Sequence, residues 1–95
     1  SQYPFIKFDL SFSVPLEFSA HLIVEEINKL LSKNENEIEI FDDFQHENSR
    51  NLGIRIVTRS YEKTYDDNET RQILMKISDS LETKFKITLN SGNND

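Results

Sequence analysis

The sequence has no cysteine and very little glycine or proline, with two residues of each. The lack of cysteine excludes disulfides, thiolate zinc sites and iron–sulfur clusters. Both glycines stand alone, so no glycine-rich loop could cradle a phosphate, and collagen-like or low-complexity sequence is excluded as well. No run approaches the roughly 18 apolar residues that a membrane span requires, and we therefore expect no membrane partner.

The N-terminus has no initiator methionine and neither the basic nor the apolar region of a signal peptide. We therefore expect a processed chain or, preferably, a fragment of a longer protein. Its 95 residues are enough for one domain and too few for two. The missing cysteine is compatible with a reducing compartment.

Residue types that carry chemistry are sparse. His21 and His46 are the only histidines and are far apart in the sequence, which argues against a metal site. The acidic pairs at 42–43 and 66–67 lack the spacing of a calcium loop. No arrangement of a nucleophile and a base can be assigned. The sequence therefore predicts no catalytic residue, no metal and no cofactor in this domain.

Charge is unevenly distributed along this chain, whose formal net charge is −6. Residues 17–47 hold nine acids and two bases, whereas residues 50–63 hold one acid and four bases, namely Arg50, Arg55, Arg59 and Lys63. Net negative charge disfavours simple nucleic-acid binding, because attraction to phosphate supplies most non-specific affinity. The acidic stretch is either an ordinary solvated surface or one that meets a basic partner.

Hydrophobic periodicity predicts three elements in the first half of the chain. Apolar and polar residues alternate over residues 7–14, as in a half-buried strand, which Pro15 helps to end. Apolar residues at helical spacing follow over residues 20–31, with Ser19 as the expected N-cap. Polar residues 32–36 indicate a loop, and alternation over residues 38–41 indicates a second strand running toward Phe44.

The second half of the chain again predicts a strand, a helix and a strand. A polar turn at 45–51 leads to a third strand over 52–59, so that strands two and three form a hairpin. Asp66 and Glu69 fit a capping box that opens a second helix ending near Glu82. Alternation over 84–89 predicts a fourth strand, and residues 91–95 read as a polar, mobile tail.

The order β-α-β-β-α-β is typical of an α+β, ferredoxin-like fold, here over residues 1–90. Two right-handed β-α-β crossovers place both helices on one face of a four-stranded antiparallel sheet with strand order 4-1-3-2. Leu10, Phe12, Ile54 and Ile56 are expected beneath apolar residues of the helices, which are Ile27, Leu30, Ile73, Ile77 and Leu81.

The opposite, open face of this sheet is expected to carry five bases and three acids. Its predicted members are Lys7, Asp9, Ser11, Ser13, Glu39, Phe41, Asp43, Arg55, Val57, Arg59, Lys84, Lys86 and Thr88. Such a face is a plausible platform for single-stranded RNA, where bases stack on rings and phosphates pair with cations. The alternative is an ordinary solvated face of an antiparallel sheet.

Several ordered segments resemble one known family. Tyr3–Phe12 is similar to the opening of the ferredoxin-fold anticodon-binding domain, which ends the β chain of bacterial phenylalanyl-tRNA synthetase. Residues 38–42 resemble its second strand, 51–56 its third strand, and 60–67 the segment before its second helix. Three features depart from the family pattern: Phe8 and Lys63 stand where the family has arginine, and the connection 45–51 is short.

The resemblance implies a non-catalytic module that binds the anticodon stem-loop of tRNA(Phe). It implies a cytoplasmic α₂β₂ parent enzyme whose other domains use ATP and Mg²⁺ for ligation, although a single-chain organellar form ends in a similar domain. On this basis the RNA-binding candidates are Lys7, Asp9, Phe41, Arg55, Arg59, Lys84 and Lys86, with Arg50 and Lys63 at loop and family-motif positions. The alternatives are a protein-interaction or regulatory domain with an acidic helix side and, least favoured, a small free-standing enzyme.

Overall fold

The chain folds into four strands and two helices in the predicted order. A computed structural model describes residues 2–94. The elements are β1 (Ile6–Val14), α1 (His21–Leu30), β2 (Asn34–His46), β3 (Ser49–Ser60), α2 (Asp67–Lys84) and β4 (Thr88–Asn94). All strand pairs are antiparallel, and the sheet order β2-β3-β1-β4 confirms the predicted order.

The core lies between the helices and one face of the sheet, as the alternation predicts. β1 pairs with β3 in a register that sets Leu10 opposite Ile54 and Phe12 opposite Leu52. These side chains are all at most 1% exposed, and Ile27, Ile77 and Leu81 close the core from the helices. The predicted members Leu30 and Ile73 pack against its margin and are partly buried.

The two helices begin in different ways. Asp66 accepts a hydrogen bond from the backbone N–H of Glu69, whose side chain accepts one from the backbone N–H of Asp66, which confirms the predicted capping box of α2. The prediction of Ser19 as the N-cap of α1 is wrong. Ala20 occupies that position and offers no side-chain acceptor, while the carbonyl oxygen of Ser19 accepts from the N–H of Leu22. No helix among residues 2–94 is long and apolar enough to cross a membrane.

The β2–β3 hairpin is longer and its turn tighter than predicted. β2 already begins at Asn34, within the predicted loop, and the two strands are joined by Glu47 and Asn48 alone. Glu47 has a φ of 53°, the left-handed conformation that such a short turn requires. A strand of this length extends about 3.3 Å per residue, so the hairpin accounts for the 48 Å long axis of the molecule.

The last strand lies further along the chain than predicted. α2 continues to Lys84, residues 85–87 form the connection, and β4 begins at Thr88. Residues 91–94, which were predicted as a tail, pair with β1, and Asp95 lies outside the described residues. The placement of Lys84 and Lys86 on a strand is therefore wrong: one ends a helix and the other lies in the connection.

Candidate nucleic-acid interface

The open face is the sheet surface turned away from the helices, and the strand register identifies its members. Glu35, Glu37, Glu39, Phe41, Asp42, Phe44 and His46 come from β2; Asn51, Gly53, Arg55, Val57 and Arg59 from β3; Lys7, Asp9, Ser11 and Ser13 from β1; and Thr88, Asn90 and Ser91 from β4. The open face therefore carries three basic and five acidic side chains. The predicted excess of bases on this face is wrong.

Differences in strand boundaries explain why acidic residues outnumber basic ones on the open face. Lys84 and Lys86 leave the face because β4 begins later, and the earlier start of β2 adds Glu35 and Glu37. A β-bulge at Phe41 then shifts the register by one residue, so that Asp42 pairs with Gly53. Beyond this bulge Asp43 points to the helix side, which corrects its predicted position on the open face.

Arg55 lies at the centre of the open face in a fixed orientation. Its Nε and Nη2 donate to the two carboxylate oxygens of Asp9 at 3.0 and 3.1 Å. Its Cζ also lies 4.7 Å from the centroid of the Phe41 ring, a cation–π contact. Three predicted site residues, Asp9, Phe41 and Arg55, are therefore brought together, with the guanidinium charge neutralised by a bidentate carboxylate.

The Phe41 ring, at the bulge, lies over Gly53 on the neighbouring strand. A Cβ atom at Gly53 would lie 2.7 Å from Cζ of Phe41, a distance that real Cβ contacts do not reach. The glycine therefore leaves space for the ring beside Arg55. Phe41 is 43% exposed, so one side of this ring faces solvent.

Arg59 forms a second assembly of the same kind further along β3. Its Nη2 and Nε donate to Oε1 of Glu35 at 2.7 and 3.2 Å, and its Nη1 donates to Oε1 of Gln2 at 3.1 Å. Its Cζ lies 4.4 Å from the centroid of Phe5. The sequence pattern did not identify Phe5 or Glu35 as partners, because Glu35 lies in a predicted loop and Phe5 precedes β1.

Phe44 and His46 continue the aromatic surface toward the end of the hairpin. Their rings are stacked with centroids 6.5 Å apart and an interplanar angle of 13°. Phe44 is 56% exposed, more than Phe41, and Asp42 stands between these two rings on the same face. Strict alternation places Phe44 on the helix side, so only the bulge reveals it. We call Phe5, Phe41, Phe44 and His46 the aromatic row.

Arg50 and Lys63 stabilise the fold away from the open face. Arg50 lies in β3 and not in a loop: its Nε and Nη2 each bind Asp43 at 2.9 Å, and its Nη1 donates to the backbone carbonyl oxygens of Leu16 and Phe18. The hydrogen-bonded guanidinium holds the pKa of Asp43 below its ordinary value. Lys63 forms an ion pair with the capping residue Glu69, whose pKa it lowers in the same way.

The remaining predicted cations occupy different surroundings. Lys84 donates to Oε1 of Glu26 at 2.7 Å and so joins α2 to α1. Lys86 is exposed in the connection after α2. Lys7 is exposed on the open face opposite Val57, and within residues 2–94 it forms no ion pair. Among these same residues, no three carboxylate or imidazole groups lie close enough to hold a metal ion.

Comparison with known sequences identifies relatives of one kind. The sequence model of the ferredoxin-fold anticodon binding domain matches residues 1–90. The chain is similar to phenylalanine–tRNA ligase beta subunits: it is 32% identical over 95 residues to that of Trichormus variabilis and 31% identical over 93 residues to that of Geobacter metallireducens. These alignments cover 96% and 94% of this chain but 12% of each relative, so the chain spans about an eighth of their length.

Comparison with solved structures supports the architecture independently. A de novo designed protein, Foldit4, matches 96% of this chain and 96% of its own length with a TM-score of 0.62. The two sequences are 10% identical, and the likeness therefore concerns the fold alone.

Proposed function

The chain belongs to the ferredoxin-fold anticodon-binding domain family, and from that premise we propose that it binds the anticodon stem-loop of tRNA(Phe) through its open face. The parent protein would be the β chain of a cytoplasmic phenylalanine–tRNA ligase with an α₂β₂ assembly. Ligation, with ATP and Mg²⁺, would take place on other domains of that enzyme. The aromatic row is the observation in the structure that best supports RNA as the ligand of this face.

The rings of the row suit unpaired bases. Phe41 and Phe44 are 43% and 56% exposed, and Phe5 is 43% exposed, although large apolar side chains are usually covered. Loop bases that are not paired stack on aromatic side chains and on guanidinium planes, and each stacked base contributes about 1–3 kcal/mol. Asp9, through both carboxylate oxygens, and Glu35, through one, keep Arg55 and Arg59 beside these rings.

The acid excess of the face indicates how binding would depend on salt. Glu35 and Asp9 already neutralise the two arginines, and Lys7 is the remaining base on this face. Few phosphate contacts release few counterions, so we expect log K to fall by only about one or two units per tenfold rise in salt. Recognition would then depend more on stacking with the nucleobases of the RNA than on contacts with its phosphate backbone.

The test compares two RNA hairpins that differ only in their loop bases. Isotope-labelled protein is titrated with the anticodon stem-loop of tRNA(Phe), and with the same hairpin carrying abasic sites in the loop. We expect the first to shift amide resonances of the open face and the second to bind much more weakly. Equal binding of both hairpins would contradict recognition by stacking, and binding of neither would overturn the proposed function.

A protein-interaction role is the second candidate, and the acid excess along β2 favours it. Glu37, Glu39 and Asp42 form a negative row at the sheet edge, which suits a basic partner. A lysine-rich peptide separates the two candidates in the same titration. If it binds the open face more tightly than the stem-loop does, protein interaction is the better assignment.

A further inference from the structure

A groove opens on the helix side of the molecule, where α1 ends, and it is separate from the open face. It encloses about 370 Å³ between the end of α1 and the flank of α2. Leu30, Leu31, Ile73 and Ile77 contribute its apolar lining, and Lys33 and Lys76 stand at its rim. We call this the helix groove.

One wall of the helix groove is fixed by hydrogen bonds. Asn34 uses its Nδ2 to donate to the Tyr65 hydroxyl and to Oγ1 of Thr58, both at 3.0 Å. Thr58 in turn donates to Oδ1 of Asn36, which anchors the wall to β3. This wall is therefore preformed, because side chains held this way need not reorder when a ligand enters.

The rim of the groove is positive although the chain as a whole is acidic. Within residues 2–94 neither Lys33 nor Lys76 forms an ion pair, whereas Arg50, Arg59, Lys63 and Lys84 all do. Both lysines are exposed and stand beside apolar side chains that are buried or half-buried. The helix groove is therefore a locally positive, partly apolar site on a chain whose net charge is −6.

A second hollow of about 240 Å³ continues the groove along α2. It shares Tyr65, Ile73 and Lys76 with the first, and Glu69 lies at its far end. The site is thus elongated: Lys33 lies toward the end of α1, Lys76 lies where the two hollows meet, and the carboxylate of Glu69, which is paired with Lys63, lies at the other end. An elongated shape of this kind fits a segment of chain better than a compact small molecule.

We propose that the helix groove docks an acidic segment of a partner protein, with apolar side chains in the groove and carboxylates against Lys33 and Lys76. Charge complementarity selects this occupant: the rim requires negative charge, and the lining requires apolar groups. A sugar–phosphate backbone would satisfy the lysines and leave the leucine and isoleucine surface uncovered.

The test uses a labelled peptide of about a dozen residues in which leucines alternate with glutamates, the pattern that such a groove accepts. Two control peptides replace the glutamates by lysine or the leucines by serine. We expect the acidic peptide alone to shift the amide resonances of 30–34, 65 and 73–77 in the full chain. The anticodon stem-loop RNA is titrated separately.

A charge-matched pair of variants completes the test. Lys33→Glu with Lys76→Glu should weaken binding of the acidic peptide about tenfold, as expected when two exposed ion pairs become repulsions. Arg71→Glu with Lys86→Glu changes the net charge equally outside the groove and should leave the affinity within about twofold.

Three outcomes would overturn the proposal: shifts outside the groove, equal weakening by both variants, or groove shifts with the RNA and none with the peptide. The proposal is independent of RNA binding by the open face, because a failure of the stem-loop to bind leaves the peptide result unaffected.

Discussion

A single glycine decides how closely an aromatic ring approaches the open face. The Phe41 ring covers the backbone of Gly53, and from there it reaches the guanidinium of Arg55. Any side chain at Gly53 would push against this ring. The position of the Phe41 ring beside Arg55 therefore depends on the absence of a side chain at Gly53.

We expect Gly53→Ala to destabilise the protein by about 1 kcal/mol. Displacing the ring costs about 1–3 kcal/mol, and alanine recovers about 0.5–1 kcal/mol in a strand interior. Urea unfolding measures the difference. In a Phe41→Ala background the same substitution should cost clearly less, since the obstructing ring is gone, although Cβ of Asp42 remains 3.1 Å from the added methyl group. Equal destabilisation in both backgrounds would mean that the ring does not limit the position.

Phe44→Ala should lower affinity for the anticodon stem-loop about 5- to 150-fold without changing the thermal midpoint. The loss of one base stack corresponds to about 1–3 kcal/mol, and a ring that is 56% exposed contributes little to the core. Met75→Ala is the matched control, because Met75 is 55% exposed on α2, away from the open face. Fluorescence titration compares the two variants, and equal losses would contradict the assignment of Phe44 to the RNA site.

At the scale of elements, an ion pair joins the two helices. Lys84 at the end of α2 binds Glu26 in the middle of α1 at 2.7 Å, and Lys29 stands 3.8 Å from the same carboxylate oxygen. The hydrogen bond from Lys84 lowers the pKa of Glu26, against the opposing effect of its burial. The carboxylate is therefore more easily ionised in the folded chain than in the unfolded chain.

This pKa shift predicts a loss of stability in acid. Because the folded-state pKa of Glu26 lies below the unfolded value, its contribution is complete at neutral pH and is lost as the pH falls below about 4.5. Glu26→Gln should thus be less stable than the parent at pH 7, and the gap should close in acid. Asp79→Asn, an exposed change on α2, is the control for net charge. If the difference in stability between Glu26→Gln and the parent persists in acid, it does not arise from the ionised Glu26 carboxylate.

The elements also differ in how far their sequence revealed them. Alternation in β1 and β3, the capping box at Asp66 and the strand order were predictable, because each follows from a repeating pattern or a local motif. β4 was not, since Phe85 and Ile87 alternate like a strand but lie in the connection after α2 and pack onto the core. Phe85 meets Phe18 edge-on at 5.5 Å.

Strand β4 has a glycine at a position that faces the core, where an apolar residue would be expected. Gly92 pairs with Leu10, and a Cβ there would lie 3.0 Å from Cδ2 of Leu10 and 3.2 Å from Cδ2 of Leu74. Neighbouring leucines fill the space, so no hydrophobic period marks β4. The bulge at Phe41 escaped prediction for a similar reason: it depends on contacts with Gly53 and Arg55, which lie on another strand.

At the scale of the whole molecule, stability rests on one two-layer core. Phe12→Ala should cost about 3–5 kcal/mol, because the ring is fully buried and its loss leaves a cavity. A domain of this size has about 5–15 kcal/mol in total. Ser11→Ala, one residue away on the open face, should cost almost nothing. Thermal melts compare the two, and equal sensitivity would mean that the faces of β1 are assigned wrongly.

The outer end of the β2–β3 hairpin has no helix beneath it, and residues 44–49 are exposed throughout. The Arg50–Asp43 pair, with its bonds to the carbonyls of Leu16 and Phe18, is the last anchor to the body. Backbone amides beyond this anchor should therefore exchange with deuterium far faster than those of Leu52–Thr58, because opening them exposes no core. If the open face binds RNA as proposed, Phe44 and His46 lie on a segment that opens without exposing the core, and this segment would adjust to loop bases of different shape.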